Sequence, residues 1–274
     1  MDTAENSTPL CRAAIALRFT RSSYFLLSLF LTIIALILVV WWPLAQDYLA
    51  TADPAIPLWK QMDWLLVGIF LVMTLLIMAG ADIKRDAWMV LVGLAGGLAI
   101  EGWGTQTLLW SYYTAERPPL WIIPAWPIAT LAIDRLTRLL DALLPRLSER
   151  LEKILLGVTF GGFYVLMLFF VWPTLDKSLT ILALIACALL PFTPANRRTM
   201  LFTFIAGSAL GYFLELWGTT RACWTYYTLQ TPPFFAVLAH GLAAAAFWRI
   251  GLLVKRLMAP LYHKVFKSMA LLKA

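Results

Sequence analysis

Charge is scarce in this chain. Only 14% of its 274 residues are Asp, Glu, Lys or Arg, against 61% hydrophobic, and the mean hydropathy is +0.79. That is too little polar surface to clothe a soluble globule, so the composition reads as an integral membrane protein. Cysteine is nearly absent. Cys11 falls on the expected inner side, Cys187 within an apolar run and Cys223 on the expected outer side, which argues against an internal disulfide. Two histidines and scattered cysteines give no zinc spacing, so neither a metal nor a cofactor is expected.

A net charge of +7 could point to nucleic acid, but its distribution points elsewhere. Apolar runs suit eight transmembrane helices at 23–45, 64–82, 87–104, 118–138, 154–173, 178–193, 199–217 and 233–254. With the N-terminus in the cytoplasm, 18 Lys and Arg fall inside, and Lys60, Arg117, Lys177 and Arg221 fall outside. This positive-inside split predicts a multi-pass protein of the cell membrane with both termini cytoplasmic. The excess positive charge then faces anionic headgroups, and no nucleic-acid partner is expected.

What the chain does have, it has twice. Glu101, Trp103, Gly104, Thr105, Trp110, Tyr112, Tyr113, Thr114, Pro118 and Pro119 recur 114 residues later as Glu215, Trp217, Gly218, Thr219, Trp224, Tyr226, Tyr227, Thr228, Pro232 and Pro233. Upstream, Gly93 and Gly97 match Gly207 and Gly211 at the same offset, which marks an internal duplication. The predicted fold is therefore all-α, with two tandem four-helix repeats. An even number of spans per repeat gives the copies the same orientation, about an axis along the membrane normal.

The chain divides on this reading into a cytoplasmic segment at 1–22, a first repeat at 23–140, a connector at 141–153, a second repeat at 154–254 and a basic tail at 255–274. Leu10, Ile15, Leu17 and Phe19 suit either a short surface helix or a frayed tail at the start, and Leu257, Leu261 and Val265 suit a surface helix at the end. Trp42-Pro43 and Trp172-Pro173 correspond at an offset of 130, lengthened by an acidic outer loop at 46–63. Both Pro-Pro pairs are expected in the first turn of a helix. Arg135 and Arg249 read as anchors at cytoplasmic helix ends.

Gly93, Gly97 and Glu101 lie four apart and share one helix face, where the glycines admit a neighbouring helix and the carboxylate points into the bundle. A desolvated carboxyl there can be a proton donor, or it can pin the following hairpin by accepting bonds from its Tyr, Trp or amide groups. The aromatics likewise have two readings: an interfacial belt, or a ligand-binding cluster held at fixed offsets from the acid. Seven residues beyond the second proline the copies diverge, Trp126 in the first and His240 in the second. His240 has two readings: half of a Glu215–His240 proton-handling pair present in the second copy alone, or a lone histidine donating one hydrogen bond to a helix carbonyl.

The order Glu, two residues, Gly-Thr, an aromatic-Tyr-Thr cluster, then Pro and an aromatic seven residues on resembles the membrane carotenoid hydratase family of carotenoid biosynthesis proteins. Here it reads Glu101, Gly104-Thr105, Trp110-Ser111-Tyr112-Tyr113-Thr114, Pro119 and Trp126, and it recurs from Glu215 to His240. The family's Phe-Gly before its tyrosines is Leu109-Trp110 and Cys223-Trp224 in this chain. The resemblance implies a cofactor-free carbon–oxygen lyase that adds water to an isoprenoid double bond. Glu215, His240 and Glu101 would then be catalytic. Trp103, Trp110, Tyr112, Tyr113, Trp126, Trp217, Trp224, Tyr226 and Tyr227 would bind a membrane lipid or isoprenoid entering through the glycine-lined groove. Two other classes stay open: a lipid or small-molecule transporter built on duplicated halves, and a structural subunit whose aromatic loops meet a membrane-protein partner.

Overall fold

The computed structural model describes residues 18–190 and 196–271. The expected surface helix at 1–22 falls almost wholly outside them, as does Cys11. Among the described residues there are ten α-helices: α1 (Arg21–Val40), α2 (Trp42–Ala50), α3 (Leu58–Gln61), α4 (Trp64–Met78), α5 (Ile83–Gln106), α6 (Ala125–Leu143), α7 (Glu149–Val171), α8 (Ser178–Leu189), α9 (Arg197–Thr220) and α10 (Phe234–Leu271). Five of the described segments are long and apolar enough to cross a membrane: α1, α5, α7 with the short turn after it, α9, and the Phe234–Val254 part of α10. The protein is a multi-pass helical membrane protein.

Side-chain caps start the helices where the sequence changes character. Asp63 caps α4, Asp82 caps α5, Ser148 caps α7 and Asn196 caps α9, each accepting a bond from a first-turn amide. Asp82 and Asn196 are themselves 114 residues apart. Gly80, at φ +58°, makes the turn that ends α4, a left-handed conformation that a side chain would strain.

Several expected boundaries move. The span at 23–45 is broken after Val40, because Pro43 cannot donate a helix bond and instead opens α2 within its first turn. The span at 118–138 begins only at Ala125. Pro118, Pro119 and Pro124 hold residues 118–124 in turns, so the first Pro-Pro pair precedes the helix rather than starting it. Pro232 and Pro233 likewise lie just before α10. Helix α10 also runs on to Leu271, where a separate surface helix had been expected after residue 255.

Small residues set the tightest packing. A Cβ on Gly93 would lie 2.9 Å from the backbone of Pro127, and one on Gly207 would lie 2.8 Å from the carbonyl oxygen of His240. Helix α5 thus seats on α6, and α9 on α10, with backbones in near contact. The glycine stripes are filled by these neighbours, which corrects the expectation that they line a lipid entry groove. Arg198 closes the other end of the bundle, donating to the Asp141, Leu144 and Pro145 carbonyls at the end of α6.

Arg135 is also not a surface anchor. Its guanidinium is buried, 4% exposed, and paired through both terminal nitrogens with Asp86 at the start of α5, with Asp134 alongside. Arg249, matched to it in sequence, is buried as well. Where the first copy has Asp86, the second has the buried Met200.

Candidate functional site

Each motif begins with a helix end of the same design. Leu109 donates to the Gly104 carbonyl at 2.9 Å and Leu108 to Thr105 at 3.3 Å. Cys223 and Ala222 repeat this on Gly218 and Thr219 at 2.9 and 3.3 Å. This double closure requires a left-handed residue, and Leu108 (φ +63°) and Ala222 (φ +54°) occupy the place glycine usually takes. The strain is about 1–2 kcal/mol per residue. A second left-handed pair, Ala115 and Leu229, and a pair of cis bonds, Arg117-Pro118 and Thr231-Pro232, also recur at 114 residues.

After the closure the chain forms two strands absent from the sequence reading, β1 (Trp110–Tyr112) and β2 (Trp224–Tyr226), paired antiparallel. Ser111 faces Thr225, and Trp110 and Tyr112 face Tyr226 and Trp224. Since β1 follows α5 and β2 follows α9, the ladder brings the C-terminal ends of both helices to one end of the molecule.

The turn returns the aromatic side chains onto the acid that precedes them. Trp110 Nε1 donates to Glu101 Oε2 at 3.0 Å and the Tyr112 hydroxyl to Glu101 Oε1 at 2.9 Å. Trp224 and Tyr226 do the same to Glu215 at 2.9 and 2.8 Å. Both carboxylates are buried. A Cβ on Gly104 would fall 1.8 Å from the Trp110 ring, and one on Gly218 would fall 2.0 Å from Trp224. The Glu-x-x-Gly spacing therefore exists to let an indole lie over the helix and reach the acid one turn back. Thr105 and Thr219 cap the carbonyls of Glu101 and Glu215.

Burial first, and then Glu101, push the Tyr112 phenol well above its usual range; burial and Glu215 do the same to Tyr226. Both therefore remain hydrogen-bond donors to their carboxylates. Burial pushes the Cys223 thiol up to about 12, which leaves it a packing group rather than a nucleophile.

The copies differ at the position already singled out. Trp126 gives Glu101 a third donor, Nε1 to Oε1 at 3.1 Å. His240 Nδ1 stands 3.6 Å from Glu215 Oε1 and 3.0 Å from the Ala236 carbonyl oxygen, so it is bonded to the helix and only adjacent to the acid. Trp126 and His240 stack on each other, centroids 5.9 Å apart and planes 9° from parallel. Gly97 and Gly211 make room for these two rings, with a Cβ 2.4 and 2.5 Å from Trp126 and His240.

A cavity of about 760 Å³ joins these groups. Both acids line it, with Trp103, Trp110, Tyr112, Trp126, Trp217, Trp224, Tyr226 and His240. Otherwise its wall is mostly aliphatic and aromatic, from α1, α4, α5, α8 and α10. Tyr113 and Tyr227, expected to bind substrate, do not line it. Their hydroxyls reach carbonyls at the ends of α1 and α7 instead, Tyr113 on Val40 and Tyr227 on Phe170 at 2.7 Å. Those acceptors are 130 residues apart, the offset of the Trp-Pro pairs. Tyr227→Phe, which removes one such tie, is expected to cost about 0.5–1.5 kcal/mol by detergent thermal unfolding.

Two supporting contacts escaped the sequence reading. Trp217 Nε1 donates to Asp63 Oδ2 at 2.8 Å, and Arg221 joins the same oxygen at 3.0 Å, tying the cap of α4 to the second motif. Trp217 also stacks on Trp41, centroids 4.8 Å apart. Tryptophan at both sites was visible in the sequence, but no spacing rule links residues so far apart. No protein-family model, curated protein or solved structure matches this chain.

Proposed function

We propose that the protein binds an apolar lipid or isoprenoid in the cavity between its two motifs and acts on it as a cofactor-free, carotenoid hydratase-like lyase. The observation that carries this reading is one cavity reached by two buried carboxylates and an imidazole among aromatic rings. Its volume lies within the range of about 300–1,000 Å³ typical of small-molecule sites, and its wall suits a hydrocarbon. In architecture we read it as eight spans in two parallel four-helix repeats with cytoplasmic termini. The duplicated bounds of α5 and α9, and the motif contacts made once per copy, support that arrangement.

The chemistry uses only groups present. The carboxyl proton of Glu215 adds to the less substituted carbon of an isoprenoid double bond, and the π electrons form that C–H bond. The tertiary cation left behind faces the rings of Trp217, Trp224 and Tyr226. A water oxygen then bonds to the cation, and its surplus proton passes to His240 or back to the carboxylate. Alkene plus water gives a tertiary alcohol, with no electron donor or acceptor required.

Lipid mass spectrometry of gently purified protein tests the reading. A polyene or isoprenoid is expected with the natural chain and lost with Glu215→Gln. An unchanged lipid profile on a stable, monodisperse variant would favour a structural subunit instead.

A further inference from the structure

We infer that the two acids have divided roles: Glu215 exchanges a proton with the cavity's occupant, and Glu101 is a positioning residue. The residue at 126 or 240 sets the difference. This assignment rests on the proposal that the shared cavity holds the ligand.

Glu101 receives three donors, from Trp110, Tyr112 and Trp126. The third is an indole N–H, which bonds firmly but does not give up its proton. Glu215 receives only two, and where the third would be stands an imidazole, a group that can take or release a proton. A bond from Nδ1 to the Ala236 carbonyl requires that nitrogen to carry hydrogen. Glu215 Oε1 lies 3.6 Å from the same nitrogen, adjacent to it but not bonded. A rotation of the ring that brings Nδ1 to the carboxylate would move the bond from one oxygen to the other, so of the two acids only Glu215 has beside it an imidazole able to take up or release a proton.

Glu101 acts through the rings it holds. Trp110 and Tyr112, fixed by its two oxygens, contact Tyr226 and Trp224, centroids 5.8 and 5.9 Å apart. Those are the donors that hold Glu215. The first copy thus sets the orientation of the second copy's donors, and the divergent position 126/240 lies where the copies meet, in the Trp126–His240 stack.

Dicyclohexylcarbodiimide, an apolar reagent that partitions into membranes, reads the difference without knowledge of the ligand. A carboxyl O–H adds across one C=N bond to give an O-acylisourea, which rearranges to a stable N-acylurea with no atom lost. Peptide mass spectrometry on the full-length protein in detergent, across a pH series, is expected to find at least tenfold more adduct on Glu215 than on Glu101. Trp126→His should open Glu101 to the reagent, and His240→Trp should suppress the reaction at Glu215. His240→Gln, smaller and easier to accommodate, should also suppress it if the larger ring disturbs folding. Equal labelling of both acids, labelling of Glu101 alone, or none at either acid overturns the assignment, as does undiminished labelling in both His240 variants. Selective labelling of Glu215 in a protein that carries no lipid would leave the division of roles standing and count against the ligand class alone.

Discussion

Glu101→Leu is expected to destabilise the protein by about 3–9 kcal/mol, because three buried or half-buried donors lose their acceptor at once, at about 1–3 kcal/mol each. The leucine fills the space but offers nothing to Trp110 Nε1, the Tyr112 hydroxyl or Trp126 Nε1. Glu215→Leu strands two donors rather than three and should cost less. Glu101→Gln keeps one acceptor oxygen and should fall between the natural chain and Glu101→Leu. The thermal midpoint in detergent, with the yield of monodisperse protein, ranks the four chains. A Glu101→Leu protein as stable as the natural one would mean that the donors find other partners, and the pinning role of the acid would be lost.

Arg135→Leu should cost about 3–5 kcal/mol by leaving the Asp86 carboxylate buried without its main counter-charge. Removing both charges is a different matter. Asp86→Met with Arg135→Leu replaces a buried ion pair by packed apolar groups, a change that is often close to neutral. The double variant is therefore expected to recover most of the thermal midpoint that Arg135→Leu loses. If the double variant is as unstable as the single one, the pair contributes through geometry, for example through the bond from the Asp82 amide to Asp86, rather than through charge balance.

Much of the site was legible because repetition isolates constraint from composition. Glu101, Trp110 and Tyr112 stood out by recurring at fixed offsets, and the structure gives the reason: each spacing is the reach of a side chain back to the acid. The Trp126 and His240 divergence was legible for the same reason. The ladder between β1 and β2 was not, since three residues of alternating aromatic and hydroxyl character look the same as an interfacial belt. The partner of Arg135 was hidden because Asp86 directly follows Lys84 and Arg85 in sequence and reads as part of a solvated helix start. The cavity was hidden as well. Its walls come from helices whose lateral packing depends on shape, which apolar composition does not encode.

The two short strands also set an order on assembly. During synthesis β1 emerges 114 residues before the segment it pairs with, and loop closure over such a distance is slow and late. Until α9 has been inserted, the first hairpin has a carboxylate and its rings but no opposite edge. Completion of the fold then waits for the second hairpin to arrive from the ribosome, and a chain stalled between them would present an open edge to any protein that guards unfinished membrane clients.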